Sequence, residues 1–264
     1  MPNKCARTER ECYCCSLPAT TVEHIPAQCF FPEKKDLAED LDFRKELITV
    51  PSCETHNTKK SGDDEYLFYV IPMTLRANKH ATHHFETKIL RAINRRPALI
   101  NHLLDKSRHA YVRDPIKLDD FVTVAISLDY DRIEKVLMLL ARGLYYHHFE
   151  TKYMNKVEII TEFLISMDDI NSKAHNDSLA EMFKWAEQIF QNQTKFGTNP
   201  EIFFYQVVDA KPQAEKIFRV VFYEGVQIIF IFGEYLNQLV NTYRMTMFWY
   251  KPIYSPARLF SRHD

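Results

Sequence analysis

The sequence predicts an α+β protein with two parts: an N-terminal module of two strands and one helix, and a mainly helical domain with a small antiparallel sheet. Three observations predict this division. All six cysteines lie within the first 53 of the 264 residues. A β-prone run at 47–50 precedes a helical pattern that starts near residue 62. Helical patterns then alternate with strand-like runs. We place the two parts at residues 1–75 and 76–264.

The N-terminal elements follow from short local patterns. Phe30-Phe31 and the run at 47–50 are predicted as two strands that lead into a helix over 64–70. A further helix is expected over 81–95, because Pro72 and Pro97 break the chain on either side of it.

The C-terminal elements are predicted in the same way. A strand-like run at 122–126 precedes an amphipathic helix that begins at Asp131, and the pattern between 153 and 175 fits either a helix or a strand. The remaining predicted elements are a helix over 178–192 and three antiparallel strands over 202–208, 217–223 and 226–232, the last two joined at Glu224-Gly225.

Composition limits the classes of protein to consider. Lys and Arg number 34 against 35 Asp and Glu, and the isoelectric point is about 6.8. This balance predicts no overall positive field, so contact with nucleic acid depends on a local patch or a partner. No apolar stretch is long enough to span a bilayer and the first residues do not form an apolar signal, so we expect a cytoplasmic protein without membrane contact. Only five glycines and no flexible linker predict that the two parts are packed together.

The cysteines indicate a metal site more than disulfides, because 46% hydrophobic residues suffice for a core without covalent staples. Cys12 and Cys15 form one pair with two intervening residues, and Cys53 and His56 form a second pair at the same spacing. Three thiolates and one imidazole suit a structural zinc ion. Two alternatives stay open: Cys14 can replace a neighbour as ligand, and His56 can face another site.

A second group of residues has the chemistry of a catalytic site. In Glu23-His24-Ile25-Pro26 an acidic residue stands beside a histidine, and Asn57 follows the second zinc pair. These are the groups needed to hold one divalent metal and one general base at a phosphate. The simpler interpretation is that His24 binds the zinc and Glu23 is a solvated charge, but the four zinc positions are already filled.

Taken together, Cys12-x2-Cys15, Glu23-His24-Ile25-Pro26 and Cys53-x2-His56-Asn57-x2-Lys60 resemble the HNH endonucleases, whose ββα-metal core is often braced by zinc. The resemblance covers roughly residues 9 to 70. It implies that His24 is the general base that activates water, that Glu23 ligates a catalytic metal, and that Asn57 supplies an oxygen to that metal or orients His24. Mg²⁺ or Mn²⁺ is the implied ion, with nickel as an alternative.

The chain departs from the family pattern after the central asparagine. A third catalytic residue, often histidine or asparagine, is expected there, whereas this sequence has Asp63-Asp64-Glu65. Asp64, or else Asp63, is the candidate ligand. The competing interpretation is a capping box formed by Ser61 and Asp64 at the start of the helix.

Several basic residues are candidate nucleic-acid contacts, although solvated surface is the simpler interpretation for each. Arg142 lies in a segment, 141–148, that looks like one downstream of the HNH core in some bacterial proteins, and it is a candidate DNA contact. The candidates near the proposed site are Arg44, Lys45, Lys59 and Lys60.

The resemblance implies a metal-dependent endonuclease that hydrolyses phosphodiester bonds, most often in double-stranded DNA, and leaves a 5′ phosphate. By analogy with such modules, we expect an effector of defence against phage or mobile elements, with DNA and a protein of the defence system as partners. The alternative is a zinc-containing module that binds nucleic acid or protein without cutting. A further alternative treats the C-terminal domain as a docking platform for a partner.

Overall fold

The computed structural model describes residues 10–38, 40–98, 107–113, 120–167, 172–210, 215–234 and 253–257. Cys5 lies outside these ranges. The protein is a mixed α+β structure with small antiparallel sheets. No helix in the described ranges combines the length and apolar character needed to cross a membrane.

The N-terminal segment contains two short strands followed by a helix. Strand β1, Thr21–His24, pairs antiparallel with strand β2, Thr49–Ser52, and Glu23 lies opposite Val50. Helix α1 follows at Ser61–Val70. Because side chains alternate along a strand, Val22 points to solvent while Glu23 points into the protein.

The first strand is not where the sequence predicted it. Phe30 ends a short 3₁₀ helix, Gln28–Phe30, and the strand lies upstream at Thr21–His24. Phe30 and Phe31 belong to the hydrophobic core, where both are buried. The ring of Phe30 packs 6.0 Å from that of Phe68 and 5.1 Å from that of Phe222. Two adjacent apolar residues show no period, so the pattern could not distinguish a strand from a buried turn.

The helix predicted over 81–95 is confirmed, with an irregular centre. Asn78 caps its start by accepting hydrogen bonds from the backbone N–H groups of His80 and Ala81. The segment consists of helix α2 (Lys79–His84), a π-helical turn (Phe85–Ile89) and helix α3 (Leu90–Arg95).

The C-terminal part contains two antiparallel sheets rather than one small sheet. The strands are β3 Arg108–Arg113, β4 Asp120–Leu128, β5 Val157–Thr161, β6 Ile165–Ser166, β7 Phe196–Asn199, β8 Phe203–Ala210, β9 Glu215–Phe222, β10 Val226–Phe232 and β11 Ile253–Ala257. The three strands predicted near the end are confirmed as β8, β9 and β10 and lie within a five-stranded sheet in the order β5-β10-β9-β8-β7. The second sheet has the order β3-β4-β11-β6, in which β4 was predicted. The stretch 153–175, whose pattern fitted either a helix or a strand, contains strands β5 and β6.

The turn between β9 and β10 requires its glycine. Tyr223 and Glu224 have positive φ angles of 47° and 59°, and Gly225 follows them. A Cβ atom on Gly225 would lie 1.8 Å from the carbonyl oxygen of Arg76, so only glycine allows this close approach. The turn thereby packs against the segment that precedes α2.

Two long amphipathic helices complete the C-terminal part. Helix α4, Tyr130–Phe149, begins at Asp129, whose carboxylate accepts a hydrogen bond from the Arg132 N–H at 3.2 Å. Helix α5 spans Ser172–Phe190 and buries Phe183 and Phe190 against the five-stranded sheet. Both helices were predicted from their apolar periodicity.

One hydrophobic cluster joins the two predicted parts. It runs from Cys12 in the N-terminal segment through Leu67 on α1 and Leu140 on α4 to Phe232 on β10. The predicted boundary at residue 75 therefore separates two segments that share a core. Helix α4 contacts both α1 and β2 of the N-terminal segment and β5 of the larger sheet.

Candidate metal centre and neighbouring polar site

The first pair of predicted zinc ligands lies in a tight loop. Glu11 and Pro18 form an isolated antiparallel bridge, and the Cys12 N–H donates to the Leu17 carbonyl at 2.9 Å. The Tyr13 N–H donates to the Pro51 carbonyl on β2 at 2.8 Å. These bonds close the loop that carries Cys12 and Cys15 and fix it to the end of β2.

The second pair follows β2 directly. Cys53 precedes a 3₁₀ turn, Glu54–His56, in which the His56 N–H donates to the Cys53 carbonyl at 3.1 Å. The turn brings the imidazole of His56 next to the thiol of Cys53, with Nδ1 3.3 Å from Sγ. A spacing of two residues is thus enough to aim both side chains at one point.

The four side chains form a cage of donor atoms that converge on one point and could hold a metal ion. Cys15 Sγ lies 3.8 Å from Cys53 Sγ, and His56 Nδ1 lies 3.5 Å from Cys12 Sγ and 3.3 Å from Cys53 Sγ. All four ligand atoms lie within 4.8 Å of one another. A tetrahedral zinc with Zn–S bonds of about 2.3 Å needs sulfurs about 3.8 Å apart, so the donor set can hold a metal ion such as zinc.

Two of the described cysteines, Cys14 and Cys29, lie outside the cage. None of the five described cysteines forms a disulfide. Cys14 is buried and accepts a hydrogen bond from Arg142 Nη1 at 3.5 Å instead of joining the four ligands. Cys29 is partly buried, and desolvation of its thiol raises its pKa to about 12.

Glu23 and Asp64, two of the predicted catalytic ligands, are brought together around Lys60. The Lys60 ammonium lies 2.8 Å from Glu23 Oε1 and 2.5 Å from Asp64 Oδ2, and all three residues are at most 6% exposed. Burial raises the pKa of both carboxyl groups, and the charge of Lys60 offsets part of that rise. Burial lowers the pKa of Lys60, but Asp64 and Glu23 outweigh it and the net pKa is raised.

The triad of Glu23, Lys60 and Asp64 was not anticipated. Lys60 was a candidate phosphate contact, yet its side chain is buried between two carboxylates. The sequence did indicate the contact of Lys60 with Asp64, because the two residues have the i,i+4 spacing of a helical ion pair. The contact with Glu23 joins residues 37 positions apart and has no local signature.

His24 lies at the end of β1, on the face opposite Glu23. Its backbone pairs with Thr49, and its side chain is partly buried. Burial, and secondarily the nearby charge of Arg44, lower the pKa of His24. The lowered pKa favours the neutral form of the imidazole. His24 is not part of the four-residue metal cage.

Asn57 connects the metal centre to β1. Its side-chain amide donates hydrogen bonds to Thr21 Oγ1 at 3.1 Å and to the Val22 carbonyl at 3.0 Å. Asn57 directly follows His56, so these bonds tie the cage to the strand that carries His24. The nitrogen of the amide is fully engaged in this contact.

The capping box predicted for α1 is not formed. The helix begins at Ser61 with Lys60 as its N-cap, and no side chain caps it. Asp64 instead pairs with Lys60. Asp63, the other candidate ligand, is bound by Arg132 Nε and Lys135 Nζ from α4, each at 2.9 Å. Those ion pairs lower the pKa of Asp63 against the opposing effect of its burial.

Comparison with known proteins gives no match: no family model, no curated protein and no solved structure is similar to this chain. Its function must be inferred from its own residues.

Proposed function

We propose that this chain is an endonuclease that hydrolyses phosphodiester bonds in DNA, with His24 as its general base. The observation that carries the proposal is the placement of His24: its imidazole is partly exposed at the end of β1 and lies outside the four-residue cage that can hold zinc. A neutral imidazole has the free electron pair that a general base needs to take a proton from water.

The neighbours of His24 support the same chemistry. Arg44 is close enough for its charge to lower the pKa of His24, and a guanidinium is well suited to bind phosphate. Arg44 is itself held by a 3.0 Å hydrogen bond from its Nε to the Phe31 carbonyl. Asn57 fixes β1 two residues before His24. Arg44 could thus bind a phosphate beside His24, on a strand that Asn57 holds in place.

The proposed catalytic ion, Mg²⁺ or Mn²⁺, fits the side chains less well than zinc fits the cage. Glu23 and Asp64 are buried, and both already neutralise the ammonium of Lys60. A divalent ion would have to displace that ammonium before either carboxylate could bind it. We therefore assign only the roles of base, to His24, and of phosphate contact, to Arg44.

The Lys60 contacts favour a second candidate function, a zinc-containing module that binds nucleic acid or a protein without cutting. In that case the carboxylates would have a structural role only. The same cage would brace the module, because it does not involve His24. The zinc ligands cannot distinguish the two candidates.

Cleavage of supercoiled plasmid separates them. The purified chain is incubated with plasmid in Mg²⁺, in Mn²⁺ and in EDTA, beside His24→Ala and the matched control His175→Ala on α5. The nuclease proposal expects nicking by the wild type and by the control, and a loss of roughly 10²- to 10⁴-fold in rate for His24→Ala. Equal cleavage by all three proteins, or none in any metal, contradicts it. Binding of the plasmid without cleavage supports the second candidate.

The biological role in defence against phage or mobile elements, with a protein partner, is proposed on the resemblance to HNH modules alone. Plaque counts in cells that express the chain or His24→Ala test it. Equal plaque numbers with both would remove the support for that role.

A further inference from the structure

Arg142, on helix α4, reaches from the C-terminal part to the cysteine loop. Its Nη1 donates to Cys14 Sγ at 3.5 Å and its Nη2 donates to the Met154 carbonyl at 3.3 Å. Its Nε is buried and has no hydrogen-bond partner among the described residues. The Nε group has lost its hydration without gaining a hydrogen bond, so a nearby negative charge would stabilise the guanidinium.

Among the described residues, the four-residue cage could supply that charge when it holds zinc. No carboxylate in the described part of the chain forms an ion pair with Arg142. A zinc ion held by the thiolates of Cys12, Cys15 and Cys53 and by a neutral His56 carries a net charge of −1. Cys14, which contacts Arg142, lies between two of those ligands in sequence. With zinc bound, the guanidinium would therefore lie near an anionic centre, one residue from Cys15 through its contact with Cys14.

A second cation from the same region binds the loop. Lys152 Nζ donates to the Cys15 carbonyl at 2.7 Å and forms an ion pair with Glu11. The two cations thus contact Cys14 and Cys15, the residues whose backbone the metal would hold in position. If the cage opened, both contacts would lose their fixed acceptors.

Helix α4 is also in close contact with the strand that carries His24. A Cβ atom on Gly143 would lie 2.6 Å from Cδ1 of Ile25, so the helix can approach only because residue 143 is glycine. Ile25 directly follows His24. Residues 142 and 143 therefore touch the metal loop and the end of β1 from one turn of one helix.

We propose that Arg142 is the counter-ion of the zinc–thiolate centre, and that zinc occupancy thereby controls the docking of α4 on the N-terminal module. Arg142 does not bind the metal itself; it acts through its contact with Cys14 and is a positioning residue. The inference does not depend on nuclease activity. It also gives Arg142 a role other than the DNA contact that the sequence predicted.

Competition with a zinc chelator, on the full-length protein, tests whether Arg142 is the counter-ion of the zinc–thiolate centre. Arg142→Met should weaken zinc binding by about 10- to 100-fold, the range typical of residues that support metal ligands. Arg142→Lys, which keeps the charge, should recover part of the loss. Lys135→Met removes an exposed cation of the same helix that pairs with Asp63, and should leave zinc affinity unchanged. Wild-type affinity in Arg142→Met, even with lower stability, overturns the counter-ion role.

Hydrogen exchange of the wild-type protein tests, without any variant, whether zinc occupancy controls the docking of α4. Removal of zinc by chelation should increase exchange of α4 amides near Arg142 and leave the amides of α5 protected. Unchanged protection of α4 after zinc loss overturns the coupling, and so does equal loss in both helices, which would report global unfolding. If Arg142→Met does not fold, Lys152→Met replaces it in the chelator experiment with the same expected direction.

Discussion

Lys60 Nζ lies 2.8 Å from Glu23 Oε1, and the side chains of both residues are nearly inaccessible to solvent. With Asp64 on the other side of the ammonium, two carboxylates share one cation inside the protein. The triad carries a net charge of −1 when all three groups are ionised. It joins β1 to the start of α1, and Ile25, Phe30 and Leu140 line the same cavity as Lys60 and Asp64.

Removing the central cation should destabilise the protein severely. Lys60→Met leaves two carboxylates buried and unpaired, and we expect a loss of about 3 to 5 kcal/mol in the free energy of unfolding. Urea denaturation of the zinc-loaded protein measures it. The triple variant Lys60→Met, Glu23→Gln and Asp64→Asn removes the unpaired charges as well and should recover most of the loss. A single variant within about 0.5 kcal/mol of wild type, the range of a surface change, would contradict the buried triad.

The sequence predicted the parts of the site that have a local spacing. Cys12 with Cys15, and Cys53 with His56, are pairs within one turn of chain, and their convergence needed only the two strands to be antiparallel. The long amphipathic helix α4 and the strands over 203–232 were visible for the same reason, since periodicity is a local property. The contact of Lys60 with Glu23 depends on how α1 packs on the hairpin.

The other features that the sequence did not predict also depend on contacts between residues far apart in the chain. Arg142 was noted as part of a recurring segment, but its contact with Cys14 joins positions 128 residues apart. The four-stranded sheet pairs β11, near the end of the chain, with β4 and β6, so no short pattern indicates it. Non-local pairs of this kind are decided by packing of the whole chain rather than by propensity.

The metal centre should determine whether the N-terminal segment folds. Cys53→Ser removes a ligand that follows β2 directly, and we expect loss of bound zinc together with unfolding of the module, because metal binding supplies folding free energy there. Zinc content by atomic absorption and thermal unfolding measure the two effects. Cys14→Ser is the matched control and should keep one zinc per chain. Retention of zinc and of thermal stability in Cys53→Ser would show that the ligand set is wrong.

The pKa of His24 should lie below the usual value for histidine, about 6.5. The causes are burial first and the charge of Arg44 second. In Arg44→Met the pKa should therefore rise, while burial still keeps it below the usual value. NMR titration of the imidazole checks this without any substrate. If His24 is the base, cleavage falls as pH drops through this pKa, and the acid limb shifts to higher pH in Arg44→Met. A wild-type pKa at or above the usual value would contradict the lowering of the pKa by burial and by Arg44.

Loss of the Asn57 amide should loosen β1 without emptying the metal cage. Asn57→Ala removes two hydrogen bonds, to Thr21 and to the Val22 carbonyl, at a cost of about 1 to 2 kcal/mol. Zinc content should stay at one per chain, because Asn57 is not among the four ligands. Hydrogen exchange should increase in β1 more than in β10. Loss of zinc in this variant would mean that Asn57 supports the cage rather than the strand.

A carboxyl group far from the metal should set part of the pH dependence of stability. Glu162 follows β5; its side chain is 8% exposed, and its Oε1 lies 2.5 Å from Arg76 Nη1. Burial raises its pKa to about 7, with Glu187 adding to the rise and Arg76 and Arg219 opposing it. Because the folded pKa exceeds the unfolded value, the protonated form stabilises the fold. This contribution is complete below about pH 4.3 and is lost as pH rises through about 7.

Glu162→Gln should therefore remove a pH-dependent decline that the wild type shows. The stability of the wild type relative to the variant should fall by about 3 kcal/mol at most between pH 4.5 and pH 8. Other carboxyl groups titrate in this range in both proteins and cancel in the comparison. Urea denaturation across pH gives the difference, and Glu181→Gln, an exposed residue of α5, serves as the control with no expected change. A wild-type advantage that grows with pH would mean that the ion pair with Arg76 outweighs the burial of Glu162.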